Sequence, residues 1–598
     1  MPDQLKIILR KFLIWRYKHI PEKQFIYILS AVIGLLAGLV AVTIKNLVHL
    51  IQKLLEGQFI KELHQAFYFI FPLIGLFLVL IIKKKIIKKK LGHGIPSTLF
   101  AISKQKGFMP KHQMWASLIT APLTVGFGGS VGLEGPAVAT SSAIGSNFTR
   151  LFHINQTTRT LLIGAAAAGS MASIFKAPIA AIVFTVEIFS LELTMASMIP
   201  LLLASISAVL TSYFFFGDDV LLHFTLQESF GFKDIIFYVF LGVISGTVSV
   251  YFSKVYFKIN DFSRSITNLY KRLLIGGILL GVIVYFVPPL FGEGYETVNN
   301  VLKGNIEPVL VNNIFNSPTD NIWIVILLLL GLIVFKIVAT SFTFGAGGVG
   351  GIFGPTLFTG SVTGYVVALI INHSNLFVHQ LSLTNFAMVG MAGLMAGILH
   401  APLTAIFLIA EITGGYELFI PLMIVSSISY IITKKYVPLN IYHKQLAERG
   451  QLLTHNKDKN VLMMLDLDKV IETNFIILTP EMTLGEVVKN AVVKSPRNHF
   501  PVVNENHEFL GILTLNDIRG IMFDKKLYDT VKVESLMRSA QDIIYYEKHS
   551  AEDILNKFKA TGAWNLVVVK NGKYFGFISK SRLLTAYRQT LINVTGNE

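Results

Sequence analysis

The sequence predicts an all-α, multi-pass membrane domain built as an inverted repeat of broken helices, followed by a C-terminal α/β unit. Three observations carry this. The chain has 598 residues, 53% of them hydrophobic and only 15% charged, with mean hydropathy +0.59. Its apolar runs recur from about residue 25 to about residue 435, long enough for many spans of about 20 residues each. Within those runs two glycine-rich loops, each closed by proline, occur at one constant offset.

The first loop is Gly128-Gly129-Ser130-Val131-Gly132-Leu133-Glu134-Gly135-Pro136. The second is Gly347-Gly348-Val349-Gly350-Gly351-Ile352-Phe353-Gly354-Pro355, and the offset is 347 − 128 = 355 − 136 = 219. A further matching pair follows: Lys176-Ala177-Pro178 through Glu187-Ile188, and His400-Ala401-Pro402 through Glu411-Ile412. In lipid, irregular backbone is tolerated only where protein buries it or where it lines a watery cavity. A proline after such a loop suits the opening of a helix, whose free N–H groups and positive dipole end attract anions. Gly/Pro-interrupted spans at matching places in two halves point to a binding site between the repeats.

In chain order, residues 1–24 read as a basic cytoplasmic segment carrying Lys6, Arg10, Lys11 and Arg16. Spans follow at 25–53 and 66–82. The run Lys83–Lys90 then holds six lysines in eight residues and reads as a solvated, positive-inside anchor. That places the N-terminus in the cytoplasm too. Gly92-His93-Gly94-Ile95-Pro96 is a third candidate helix start, and His93 is its titratable side chain. Further spans are expected at 194–215, 234–256 and 271–286. Residues 287–320 read as a polar loop between the halves, and 321–435 repeat the broken-helix pattern. The membrane domain is bounded at 25–445, with repeats at about 25–215 and 230–440.

A linker is expected at 446–470. After it the pattern is that of a soluble α/β tandem, with units at 471–528 and 529–598. Phe475–Leu478, Phe500–Val503, Gly511–Thr514, Asp542–Ile544, Asn565–Val569 and Gly576–Ser579 read as strands. The formal net charge of +16 accords with basic cytoplasmic loops, and no basic-aromatic nucleic-acid module is visible. There is no cysteine, so disulfide and thiol chemistry are excluded. The histidines lack metal-ligand spacing.

These motifs resemble those of the CLC family of chloride channels and chloride/proton antiporters. Gly92-His93-Gly94-Ile95-Pro96 is similar to the family's G-S-G-I-P, Gly132-Leu133-Glu134-Gly135-Pro136 to G-R-E-G-P, and Gly351-Ile352-Phe353-Gly354-Pro355 to G-x-F-x-P. Tyr442 falls where the family has its anion-contacting tyrosine. The tail resembles a pair of cystathionine-β-synthase (CBS) domains. The resemblance implies a homodimer in the bilayer with one chloride path per subunit, its N-terminus and CBS pair cytoplasmic. It implies an anion held by His93, the backbone N–H groups of Ile352 and Phe353, and the Tyr442 hydroxyl. It makes Glu134 the gate, since an ionised carboxylate can occupy an amide site meant for an anion, and a protonated one leaves it.

Three departures matter. His93 stands in place of a serine, which bears on anion selectivity and adds a group that titrates near pH 6.5. Leu133 removes a nearby arginine. Ile188 stands where antiporters of the family carry an internal proton-relay glutamate. A helix neighbour such as Glu187 points about 100° away. This leans the expectation to channel-like conduction, with chloride/proton antiport as the alternative. An ion-coupled solute carrier or a membrane enzyme is the rival from another class, but no polar catalytic cluster lies among the spans. In the tail, Thr514 and Asp517 match a pattern that holds a ribose, so an adenine nucleotide is a possible ligand there. No cofactor is required, and the second copy has Arg582 where that aspartate would stand.

Overall fold

The computed structural model describes residues 3–55, 64–89, 92, 94–192, 194–217, 222, 230–311, 321–374, 380–448, 462, 465 and 467–595. His93 and most of the 446–470 stretch lie outside the described residues. The chain divides into two compact units, Met1–Leu452 and Leu453–Glu598.

The first unit is helical. Among the described residues seven helices are long and apolar enough to cross a membrane, including Glu22–Leu55, Met195–Phe216, Leu269–Phe286 and Ile322–Gly345. Shorter apolar helices are Pro178–Phe189, Leu383–Leu399 and Pro402–Ile412, the first and last of which open on proline. Small residues allow close backbone approach in the core, which substitutes for the weak hydrophobic drive between helices in lipid. At Gly364 a methyl would stand 1.9 Å from the Phe386 carbonyl oxygen, so helices Phe353–His373 and Leu383–Leu399 meet backbone to backbone.

The two halves repeat each other in their bonds. Ser130 N donates to Thr343 Oγ1 at 3.1 Å, and Val349 N donates to Thr124 Oγ1 at 3.0 Å. Both donors and acceptors are related by the 219-residue offset. Lys176 and His400, which end the preceding helices, share a left-handed backbone at φ 53° and 55°.

Several expectations need correction. Helices start at Glu134 and Phe353, two residues before the prolines, so the proline occupies the first turn and not its first position. The stretch 287–320 is not simply a loop: it holds a 3-10 turn, Pro288–Leu290, and helices Tyr295–Leu302 and Glu307–Val311. Lys83 is not a solvated anchor. It lies in a π-helical turn, Ile82–Ile87, and its Nζ donates to the Gly347 carbonyl at 2.7 Å.

The second unit is α/β. His499–Val503 pairs antiparallel with Phe509–Thr514. Ile543–Tyr545 pairs parallel with Asn565–Lys570, which pairs antiparallel with Lys573–Ser579. Phe475–Leu478 is not a strand: only Leu478 makes a bridge, to Val502. Its apolar side chains pack without a full partner strand to extend the ladder.

Candidate anion pathway

The loops of the two halves pair directly. Gly132 N donates to Gly351 O at 2.8 Å, and Gly351 N returns a bond to Gly132 O at 2.7 Å. This two-residue antiparallel bridge joins helix starts that lie 219 residues apart in sequence. Three helix N-termini gather around it: Ile95–Lys104, Glu134–Leu151 and Phe353–His373. None of the three is capped by the side chain of its own N-cap residue. By contrast Gln156–Phe175, Met195–Phe216 and Leu383–Leu399 each begin on a capping Asn, Thr or Ser. Uncapped first-turn N–H groups need another acceptor, and an anion supplies one.

A cavity of about 270 Å³ opens among these ends, lined by Gly94, Gly135, Gly351, Ile352 and Tyr442. Gly92 lines it as well. Tyr442 sits on the short helix Ile441–Ala447, which Asn440 anchors by accepting from His443 N at 2.8 Å and donating to Leu399 O at 2.7 Å. The Tyr442 hydroxyl is buried and has no hydrogen-bond partner among the described residues.

Glu134 lies behind this cavity, with no exposure at all. Its carboxylate sits between Gly132 and Gly354. A methyl on Gly132 would stand 2.1 Å from Oε2, so only glycine leaves room for the side chain. Oε1 accepts from the Tyr295 hydroxyl. Among the described residues Oε2 is buried with no hydrogen bond of good geometry, and the backbone N–H groups of Glu134 and Gly354 are the donors nearest the carboxylate. The Phe353 ring packs in the core against Phe175 and Phe184, 6.1 and 5.6 Å away, so only its backbone belongs to the site.

A second, larger cavity of about 680 Å³ lies on the opposite face. Helix Leu269–Phe286, about 27 Å long at 1.5 Å per residue, has Arg272 near its start at the smaller cavity; Pro288, just past its end, is at the larger one. Glu293 and Tyr295 line the larger cavity, and Glu293 Oε1 accepts from Leu133 N at 3.1 Å. Beside them Lys336 is fully buried, with Nζ donating to Gly292 O at 3.1 Å.

The structure therefore brings together Gly92, Gly94, Gly132, Glu134, Gly135, Gly351, Ile352, Gly354 and Tyr442. Sequence reasoning missed Lys83, Glu293, Tyr295 and Lys336. Lys336 carried a readable signal, as a lone charge inside an apolar span. Thr514 and Asp517 lie in the second unit. Asp517 Oδ2 accepts from Thr514 N at 2.9 Å and from Thr514 Oγ1 at 2.7 Å, and Oδ1 pairs with Arg538. Arg582 pairs with Glu472 at 3.4 Å.

A buried carboxylate seated where two mirrored, broken helices meet defines an inverted-repeat membrane protein with its site between the repeats. The chain belongs to the voltage gated chloride channel family, which matches residues 74–434, and a CBS domain matches residues 467–524. It is 28% identical over 417 residues to the H(+)/Cl(-) exchange transporter ClcA of Vibrio cholerae, covering 67% of this chain and 84% of that protein. Its fold is similar to that of a slow cyanobacterial Cl-/H+ antiporter, at TM-score 0.59 and 22% identity, covering 71% of this chain and 98% of the other. It is also similar to that of a eukaryotic CLC transporter, at TM-score 0.58 and 17% identity, covering 93% and 97%.

Proposed function

We propose that the protein carries chloride, or a related small anion, across a membrane, with Glu134 as the gate and Ile352, Phe353 and Tyr442 as anion contacts. The seat of Glu134 is the observation that supports this best: a fully buried carboxylate between Gly132 and Gly354, at the uncapped start of helix Phe353–His373. A carboxylate oxygen and a chloride ion make the same demand on backbone N–H groups. Ionised Glu134 thus holds a place an anion must take, and protonated Glu134 gives it up. Dipolar helix ends attract an anion without binding it as tightly as a full cation would, which suits passage.

Two transport modes share this gate. Channel-like conduction is supported by Ile188, which is buried in the apolar core, and by Glu187, whose carboxylate is held by Leu403 N and Thr404 N at 3.0 and 2.7 Å. Exchange with protons is supported by the names of the relatives. The test is the reversal potential of the purified protein in liposomes under combined chloride and pH gradients. A value at the chloride equilibrium potential means conduction, and a displacement by the proton gradient means exchange. Glu134→Gln should abolish pH dependence in either mode; wild-type pH dependence in that variant would overturn the gate.

The face with Lys83, Arg264, Arg272 and the smaller cavity is proposed to be cytoplasmic, by the positive-inside rule. The N-terminus shares that side, because the later half of Glu22–Leu55 lines the larger cavity. The CBS-type unit is proposed to be cytoplasmic as well, and the functional assembly to be a homodimer. No resident nucleotide is proposed there, since both oxygens of Asp517 are engaged by Thr514 and Arg538. Titration of ATP into the full-length protein tests this, and saturable heat would overturn it.

A further inference from the structure

Glu134 lines neither cavity, so a proton reaching it must cross other side chains. On the side of the smaller cavity Tyr442 is the lining tyrosine near Glu134, and no hydrogen bond joins its hydroxyl to the carboxylate. On the side of the larger cavity it is Tyr295, whose hydroxyl already donates to Glu134 Oε1. Tyr295 lines that cavity, and so does Glu293. Glu293 is tied by Leu133 N to the residue directly before Glu134.

We propose that Glu293 and Tyr295 form the proton port through which Glu134 exchanges its proton with the larger cavity. The inference rests on the reading of Glu134 as the gate. Protonated Glu293 gives its proton to a cavity water, and that water passes one of its own to the Tyr295 oxygen. The Tyr295 O–H bond breaks as its proton moves to Glu134 Oε1. The net change is one proton from the Glu293 carboxyl to the Glu134 carboxylate, with Tyr295 and the water unchanged. The reverse sequence recharges Glu134.

The surroundings suit a carboxylate that alternates between two states. Lys336, from Ile322–Gly345, and Lys45, from Glu22–Leu55, supply positive charge to Glu293, while Glu134 opposes its ionisation. Tyr295 lies beside both carboxylates. Among the described residues, His49, Tyr68, Lys176, Glu296 and Lys303 complete the titratable lining of the cavity. Two close carboxylates with shared cations favour one negative charge between them over two. Passing the proton from one to the other preserves that total.

Glu293 and Tyr295 relay the proton themselves, so the readout is kinetic. The full-length protein in liposomes is subjected to an external pH jump, and the relaxation of chloride flux is followed in H2O and D2O. Its rate is normalised to the flux finally reached at acid pH. For Glu293→Gln the normalised rate should fall at least tenfold and the solvent isotope effect should change, with recovery in Glu293→Asp. Tyr295→Phe should slow relaxation likewise, and it supplies the test if the glutamine variant does not fold. If Glu134→Gln removes pH dependence but both other variants relax at the wild-type rate, the port is overturned and the gate stands. If Glu134→Gln keeps pH dependence, the gate reading fails and the port with it.

Discussion

Glu187 and Glu411 cap each other's helices. Glu187 accepts from Leu403 N at 3.0 Å and Thr404 N at 2.7 Å, at the start of the helix that carries Glu411. Glu411 accepts from Ile179 N at 3.0 Å and Ala180 N at 2.7 Å, at the start of the helix that carries Glu187. Both helices open on an Ala-Pro step, and neither has a local side-chain cap. The repeat thus meets its need for acceptors by exchanging carboxylates across the two halves.

This exchange predicts a structural role for Glu187. Replacing a capping side chain by alanine costs about 0.5–2 kcal/mol. Glu187→Ala should lower the unfolding temperature in detergent, and Glu187→Gln, which keeps one acceptor, should lower it less. Glu411→Ala should cost a similar amount. The double variant should lose less than the two singles combined, because both caps hold the same pair of helices. Additive losses measured by thermal unfolding would argue against the reciprocal arrangement.

The seat of Glu134 predicts the behaviour of Gly132→Ala. The new methyl would stand 2.1 Å from Oε2 and 3.0 Å from Gly354 N, both inside contact distance. Overpacking of this kind costs about 1–3 kcal/mol, and the side chain is easier to move than the paired backbone. The carboxylate should leave its seat, and chloride flux should lose its pH dependence as in Glu134→Gln. Retained pH dependence with an intact fold would place the carboxylate elsewhere.

In the second unit, one ion pair predicts an acid limb. Lys557 Nζ meets both Asp542 oxygens at 2.7 Å and holds that carboxyl below its usual value of 3.8. A folded value lower than the unfolded one means that the stabilising contribution is present above about pH 4. It is lost as pH falls through the lower folded value. The side chains are 31% and 25% exposed, so screening limits the effect to about 1 kcal/mol or less. Lys557→Met should flatten the fall in stability of the second unit as pH drops below about 4, read by thermal unfolding.

The loops were legible because their constraint is local. Glycine-rich backbone closed by proline inside an apolar run has few uses, and the 219-residue offset marked two copies as partners. Tyr442 was legible only through the family resemblance, which sets an anion-contacting tyrosine just after the last span. Glu293 and Tyr295 were not legible, because Gly292-Glu293-Gly294-Tyr295 lies in a polar stretch that reads as a connection. Its entry into the core is a tertiary event, set by contact with Leu133 and Glu134. Lys83 was misread for the opposite reason. Five neighbouring lysines made a solvated run the simplest account, whereas the π-helical turn brings this one to the Gly347 carbonyl. Phe475–Leu478 had strand composition but lacked a strand to pair with along its length.

Tyr442→Phe isolates the anion from the fold. A buried hydroxyl that bonds protein leaves an orphaned partner when removed, and stability falls with it. The Tyr442 hydroxyl has no such partner, so its removal should leave the unfolding temperature in chloride-free buffer nearly unchanged. A hydroxyl bond to a charged group contributes about 1.5–3 kcal/mol, which corresponds to roughly ten- to a hundredfold in affinity. Chloride titration by calorimetry should therefore weaken by about that factor, and the stabilisation that chloride confers on wild type should shrink in parallel. Equal chloride affinity in Tyr442→Phe and wild type would remove the hydroxyl from the pathway and leave the helix ends alone to hold the ion.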